Sequence, residues 1–252
     1  MIALAVDLAS MGGAGGGAAF SPIQLPSLAL WLRADLGVTS AASLVSAWAD
    51  QSGSGDPNRI LAQASDPQKP TLVASDALLA NKPSLRFTKS VPSTLLLPPG
   101  AWSTTLANPC TIVCALVTTA LGGDQFVYDD RTNLFNCGLD MQAAPSATAF
   151  TNGGGATLAA AAAAQGTGQV VSVVINGASS TISVSAITPQ TSGTLAALSS
   201  TGLGVGAAPQ SASIGLSGNI AELVAVNAVL SAGNLASLLH YMGTRYGVTI
   251  GA

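Results

Sequence analysis

Residues 218–248 read GNIAELVAVNAVLSAGNLASLLHYMGTRYGV. The stretch holds two patterns in succession. Residues 220–226 form an apolar run of strand length, interrupted only by Glu222. Ser231 is then placed as an N-cap, because its hydroxyl can accept from an unpaired amide of the first helical turn. Leu235, Leu238, Leu239 and Met242 follow at i, i+3, i+4 and i+7, one apolar stripe on a helix. Gly247 is placed to stop that helix in a left-handed turn. A strand followed by a short helix that packs back through one stripe is the closing unit expected of this chain.

Upstream, from Leu28, the pattern is short strands separated by Gly, Pro, Ser and Asn, which is the signature of a sandwich. Strands are predicted at 28–33, 44–48, 84–88, 111–118, 125–128, 170–176, 181–187 and 220–226. In 181–187, Ile182, Val184 and Ala186 alternate with Thr181, Ser183 and Ser185, the period of a half-buried strand. Asn176-Gly177 favours a turn between two such strands. Residues 156–165, ATLAAAAAAQ, have helical propensity, but flanking glycines predict a loop with a helical turn. Trp31 and Trp48 are read as core anchors on short strands. The expected organisation is an N-terminal Gly-rich arm, 1–26, and one sandwich domain, 27–252.

Composition narrows the function. Charged residues are 8% of 252, with 8 Lys+Arg, 11 Asp+Glu and 1 His, against about 25% charged in an ordinary domain. Eight scattered cations cannot form a basic face for nucleic acid. No run of 18 uninterrupted apolar residues reads as a membrane span. The start, MIALAVDLASMGGAGGGAAF, has no Lys or Arg before Arg33, and Asp7 breaks its apolar run. It is therefore not read as a secretory signal. Cys110, Cys114 and Cys137 form no CxxC or Cys/His cluster and are read as small buried side chains rather than zinc ligands. Cys110 and Cys114 would lie about 13 Å apart on a regular strand, too far for a disulfide.

Residues 28–38 (LALWLRADLGV), 45–56 (VSAWADQSGSGD) and 69–87 (KPTLVASDALLANKPSLRF) resemble the entry half of LamG-like, concanavalin A-like lectin/glucanase sandwiches. Residues 218–248 are similar to the closing half, where a last strand leads to a helix ending in Tyr-Gly, here Tyr246-Gly247. The apolar, Gly-rich start running into FSPIQLPSLALWL (20–32) is similar to tailed-phage structural proteins in particular. The resemblance implies an all-β, two-sheet antiparallel jelly roll with a short C-terminal helix and an extended N-terminal arm.

That resemblance leads to two expectations of function. The first is a structural virion protein, a capsid decoration or tail/fibre component, contacting other virion proteins and copies of itself as a homo-oligomer. Its assembly arm would be Ile2, Leu4, Val6 and Leu8, adding a strand to a neighbour. The second is a carbohydrate-binding module for host attachment, extracellular or at a bacterial cell surface. Trp102 and Tyr128 are its glycan-binding candidates.

No cofactor is expected, with calcium the one candidate ion. Asp50, Asp56 and Asn58 offer one set of oxygen ligands, and Asp129 and Asp130 with Asn133 offer another. Neither set matches the family's calcium ligands residue by residue. The 50–56 segment, DQSGSGD, is first of all a turn. The glucanase branch would require paired carboxylates about 5–5.5 Å apart. The chain has a single glutamate, Glu222, whose alternating strand neighbours Ile220, Val224 and Val226 are apolar. His240 lies beside the helix stripe, and no Gly-x-Ser-x-Gly elbow occurs. Catalysis is not expected.

Overall fold

The computed structural model describes residues 19–252 except 91, 121, 143–145, 152–155, 161–162 and 212. Among these, two antiparallel sheets of 11 and five strands stack into a β-sandwich. The main path of the large sheet runs Thr191–Gly193, Ser180–Val184, Gly168–Ile175, Cys110–Thr118, Gly218–Val226, Lys82–Phe87, Thr71–Asp76, Leu44–Trp48, Val38–Ala41. The small sheet runs Ala156–Ala160, Ser146–Thr151, Cys137–Gln142, Phe126–Asp130, Leu203–Val205.

The two central strands, Cys110–Thr118 and Gly218–Val226, are buried along their whole length. A strand covered on both faces carries an apolar run rather than an alternation, which is why both read that way. Cys110, Ile112, Cys114 and Leu116 point into the core between the sheets. Val113, Ala115 and Val117 point the other way, into a second core under the helix.

That helix, α1 (Ala232–Tyr246), is built as the sequence predicts. The Ser231 hydroxyl accepts from the Asn234 amide at 3.2 Å, and Gly247 caps the far end at φ +66°. Leu238, Leu239, Met242 and Tyr246 are buried against the large sheet, with Leu235 half-buried beside them. Leu25 joins the same core, and Phe20 packs at its margin. Trp48 lies between the sheets and Trp31 under the helix, both as core residues.

Each strand predicted from the sequence is present, within a few residues at its ends. The turn at Asn176-Gly177 also forms, with Gly177 at φ +57°. One expectation fails. Ala156–Ala160 is a strand rather than a loop with a helical turn, pairing Leu158 with Ala149 and Ala160 with Ala147. Leu158 and Ala160 are buried, so packing at a sheet edge overrides the alanine preference for helix. The arm residues Ile2, Leu4, Val6 and Leu8 lie outside the described residues. No helix among the described residues is long and apolar enough to cross a membrane.

Candidate functional site

The strand Gly218–Val226 carries a bulge between Ile220 and Glu222 where it pairs with Cys110–Thr118. Ile220 points between the sheets, whereas Ala221 and Val224 face the helix. The extra residue places Glu222 on the helix side as well. Glu222 therefore shares a face with Val224 and Val226 but not with Ile220, contrary to simple alternation.

Glu222 is fully buried and is held from two sides. Trp31 Nε1 donates to its Oε1 at 2.6 Å, and Tyr246 OH donates to its Oε2 at 2.7 Å. Tyr241 OH lies 3.2 Å from Oε1. Arg245 Nε is 3.8 Å from Oε2 and donates to Tyr246 OH at 3.1 Å. Desolvation raises the Glu222 carboxyl above its ordinary pKa, against the pull of Tyr246, Trp31 and the two arginines. Asp35 bridges Arg33 Nε (2.6 Å) and Arg245 Nη2 (2.5 Å) above this network. Helix and sheet are thus joined by polar contacts as well as by the apolar stripe.

Beside this junction lies an open pocket of about 600 Å³, lined among others by Phe20, Lys82, Ser237, His240, Tyr241 and Arg245. The Phe20 and Tyr241 rings meet edge to face at 5.9 Å. None of the described lining residues is a carboxylate. His240 is solvent-exposed on the helix, as expected from its position beside the stripe.

Of the residues singled out in the sequence, Asp50, Asp56, Asn58 and Trp102 are brought together, whereas Tyr128, Asp129 and Asp130 lie on a strand of the small sheet. Asp50 Oδ1 accepts from the Trp31 and Ser52 amides at 2.8 and 2.9 Å, and its Oδ2 accepts from the Ser52 and Ser54 hydroxyls. Asp56 accepts from the Asn58 amide at 2.9 Å and from the Ser103 amide at 2.7 Å. The Ser103 and Asn58 amides hold the Asp56 carboxyl below its ordinary pKa. Asn58 donates to Ala101 O at 2.7 Å. These three side chains build and tie down their loops, and the carboxylate oxygens of Asp50 and Asp56 already serve protein donors.

Trp102 and Tyr128 need correction as glycan platforms, since they are 4% and 1% exposed. The Trp102 ring is folded inward, donating to Asn58 O at 3.1 Å, with the Arg59 guanidinium 5.2 Å from its centroid. Tyr128 lies in the core between the sheets. Neither offers a ring face to a sugar. A second cleft of about 440 Å³ does open here, lined in part by Ser54, Arg59, Ser103 and Asn227, without an aromatic ring.

Asp129 and Asp130 are buried. Asp129 accepts from the Asp130, Phe135 and Cys137 amides at 2.8, 2.6 and 3.1 Å. Asp130 Oδ1 accepts from the Thr132 and Asn133 amides at 2.8 and 2.7 Å, while its Oδ2 is buried without a hydrogen-bond partner. Among the described residues no group of three or more His, Cys, Asp or Glu converges in a metal-holding arrangement. The Asp50, Asp56 and Asp129 carboxylates already accept from protein donors, whereas a calcium ion gathers six to eight oxygen ligands around itself.

Cys110, Cys114 and Cys137 are free and buried. Burial pushes the Cys110 thiol up to about 12, which leaves it unreactive.

Burial pushes the Asp129 carboxyl up to about 6, against its three backbone donors. Its folded value thus lies above its unfolded one, so the fold binds this proton more tightly. The resulting stability is complete below about pH 4 and is lost as pH rises through about 6. Its size is about 3 kcal/mol at 1.36 kcal/mol per unit. Urea midpoints at pH 4 and pH 7 should differ less in Asp129→Asn than in the parent. Equal differences in the two proteins would remove this carboxyl as the cause.

No protein-family model matches the sequence, and no curated protein matches it. Solved structures do match in shape. The sialidase of Trypanosoma rangeli in complex with 2,3-difluorosialic acid aligns with TM-score 0.57 and 14% identity, over 98% of this chain and 36% of that one. The binding domain of Paraclostridial Mosquitocidal Protein 1 aligns with TM-score 0.57 and 8% identity, over 85% of this chain and 52% of that one. The sialidase CBM40 of Ruminococcus gnavus, bound to α2,3-sialyllactose, aligns more loosely, at TM-score 0.43, 15% identity and 54% of this chain. This chain spans about a third of the length of the sialidases it matches. At these identities the likeness is one of fold, a β-sandwich shared with part of a sialidase and with the binding domain of a mosquitocidal protein.

Proposed function

We propose that this chain is a non-catalytic, lectin-like binding module that takes a carbohydrate in the pocket beside α1. The observation that carries the reading is the pocket itself: about 600 Å³, open, walled by the Phe20 and Tyr241 rings and lined by hydroxyl and cationic groups. A volume of that size is in the ordinary range for small-ligand sites. Ring faces receive the apolar side of a sugar, and polar groups read its hydroxyls.

The neighbours in fold favour a binding role over a whole enzyme. One is a binding domain, and the match to sialidases extends over about a third of each chain. The chemistry agrees. Glu222 is sealed beneath the helix and hydrogen-bonded on both oxygens, so it is not presented as one of two opposed acids. A glycan ligand places such a module outside the cell or at a cell surface. The comparisons support this reading over a virion role, whose assembly arm lies outside the described residues.

A glycan array followed by calorimetry tests the proposal. The parent should bind a subset of sugars, and Ser237→Trp, an exposed helix position lining the pocket, should weaken binding by at least about tenfold with an unchanged melting temperature. An array without any bound sugar rejects the function. Undiminished binding by Ser237→Trp rejects the site.

A further inference from the structure

Resting on the lectin-like reading, we infer that the pocket beside α1 selects an anionic sugar, whose charged group is met by Lys82 and Arg245. The argument starts from unspent charge. The Lys82 ammonium has no ion pair or hydrogen bond among the described residues, although the side chain is half-buried. The two other half-buried lysines are both engaged: Lys69 pairs with Asp66 at 2.6 Å, and Lys89 donates to the Gly122 and Asp124 carbonyls at 3.3 and 2.6 Å.

Arg245 reaches the pocket from the helix. Its Nε and Nη2 are held by Tyr246 OH and Asp35, and its Nη1 has no partner among the described residues. Asp35 and Glu222 fix the guanidinium in place without turning a carboxylate into the pocket, since none lines it. Two cations of which one is unpaired, in a chain of net charge −3, form a local positive field in a concave site. Such a field favours an anion.

The aromatic wall supplies the rest of the recognition. Phe20 and Tyr241 would take the ring of the sugar, which places its carboxylate or sulfate toward Lys82 and Arg245. Charged hydrogen bonds of this type are the stronger kind. A neutral sugar would leave the Lys82 ammonium without a counter-charge.

Calorimetry on the full chain tests this with four ligands: N-acetylneuraminic acid, its methyl ester, galactose 6-sulfate and galactose. The acid should bind at least about tenfold tighter than its ester, and the sulfated sugar tighter than galactose. Raising NaCl from 50 to 500 mM should weaken the charged ligands several-fold and leave the neutral ones unchanged. Lys82→Met keeps the aliphatic stem and breaks no hydrogen bond or ion pair among the described residues, so it should fold as the parent and lose the preference for the charged forms. A preference for the acid but not the sulfate would assign the ligand as a carboxylate sugar, and the reverse as a sulfated one. Equal binding of charged and neutral sugars would overturn the inference while leaving the lectin reading intact. No binding by any ligand here or on the array would overturn both. A charge preference retained by Lys82→Met would overturn the assignment to this pocket.

Discussion

Replacing Glu222 with alanine is expected to destabilise the protein by about 3–5 kcal/mol, the cost of breaking a buried charged network from one side. For a domain of this size that corresponds to a fall in melting temperature of roughly 6–20 °C. The size follows from what remains. Trp31 Nε1 and Tyr246 OH would lose their acceptor inside the protein, and Arg245 would lose its nearest buried counter-charge. Water cannot replace them cheaply, because the site of Glu222 is fully buried. Glu222→Gln separates charge from hydrogen bonding. Its carbonyl can still accept from Trp31, and the Tyr246 hydroxyl can rotate to accept from the new amide. That variant should lose about 1–2 kcal/mol. Thermal unfolding followed by near-ultraviolet circular dichroism reads both, since Trp31, Tyr241 and Tyr246 all sit at this junction. An alanine variant within 1 kcal/mol of the parent would show that the apolar stripe of α1 holds the helix without the network. The same network fixes Tyr241 and Arg245, so it also shapes the wall of the pocket.

Most of the frame was legible because burial on both faces writes itself as an apolar run. CTIVCALVT and the strand holding Glu222 are strands on this ground alone. The helix was legible from its cap, stripe and stop. The strands that escaped are of another kind. Among them, Ser146–Thr151 and Ala156–Ala160 are built mainly from Ala, Ser and Thr, and Cys137–Gln142 sets only Leu139 and Met141 among Cys, Gly, Asp and Gln, so little marks their period. Ala147, Ala149 and Ala160 are nevertheless buried in the core. Small side chains suit a thin layer, but their period is faint.

The site was less legible than the fold. Lys82 and Tyr241 are separated by about 160 positions in sequence and meet only because α1 crosses the sheet next to the strand Lys82–Phe87. Trp102 misled because PPGAWS has loop composition, and loop composition does not tell whether a ring turns inward. Here it does, under Arg59. Asp50 and Asp56 were correctly placed in a turn, and the turn is their role in the structure. The bulge at Ile220/Glu222 leaves no mark in the sequence, yet it decides which core the glutamate enters.

Gly206→Ala is the second large effect, with a cost of about 3–5 kcal/mol expected from two sources. The residue has φ +92°, outside the comfortable range of a side chain, and strain of this kind costs of order 1–3 kcal/mol. A Cβ built here would also lie 1.9 Å from Phe87 Cδ1 and 2.2 Å from Cε1. Phe87 is 1% exposed, so its ring cannot swing out to solvent, and overpacking adds about 1–3 kcal/mol. The position joins the two layers. Gly206 donates to Val127 O and accepts from the Leu216 amide, both at 2.8 Å, immediately after the strand Leu203–Val205 of the small sheet. Phe87 belongs to the large sheet. Only a residue without a side chain lets the sheets approach this closely. A double-mutant cycle with Phe87→Leu separates the two causes. If the clash dominates, Gly206→Ala should cost at least 1 kcal/mol less in the Phe87→Leu background. If the cost is the same in both backgrounds, backbone strain alone is responsible and the ring contact is not what fixes the spacing of the layers.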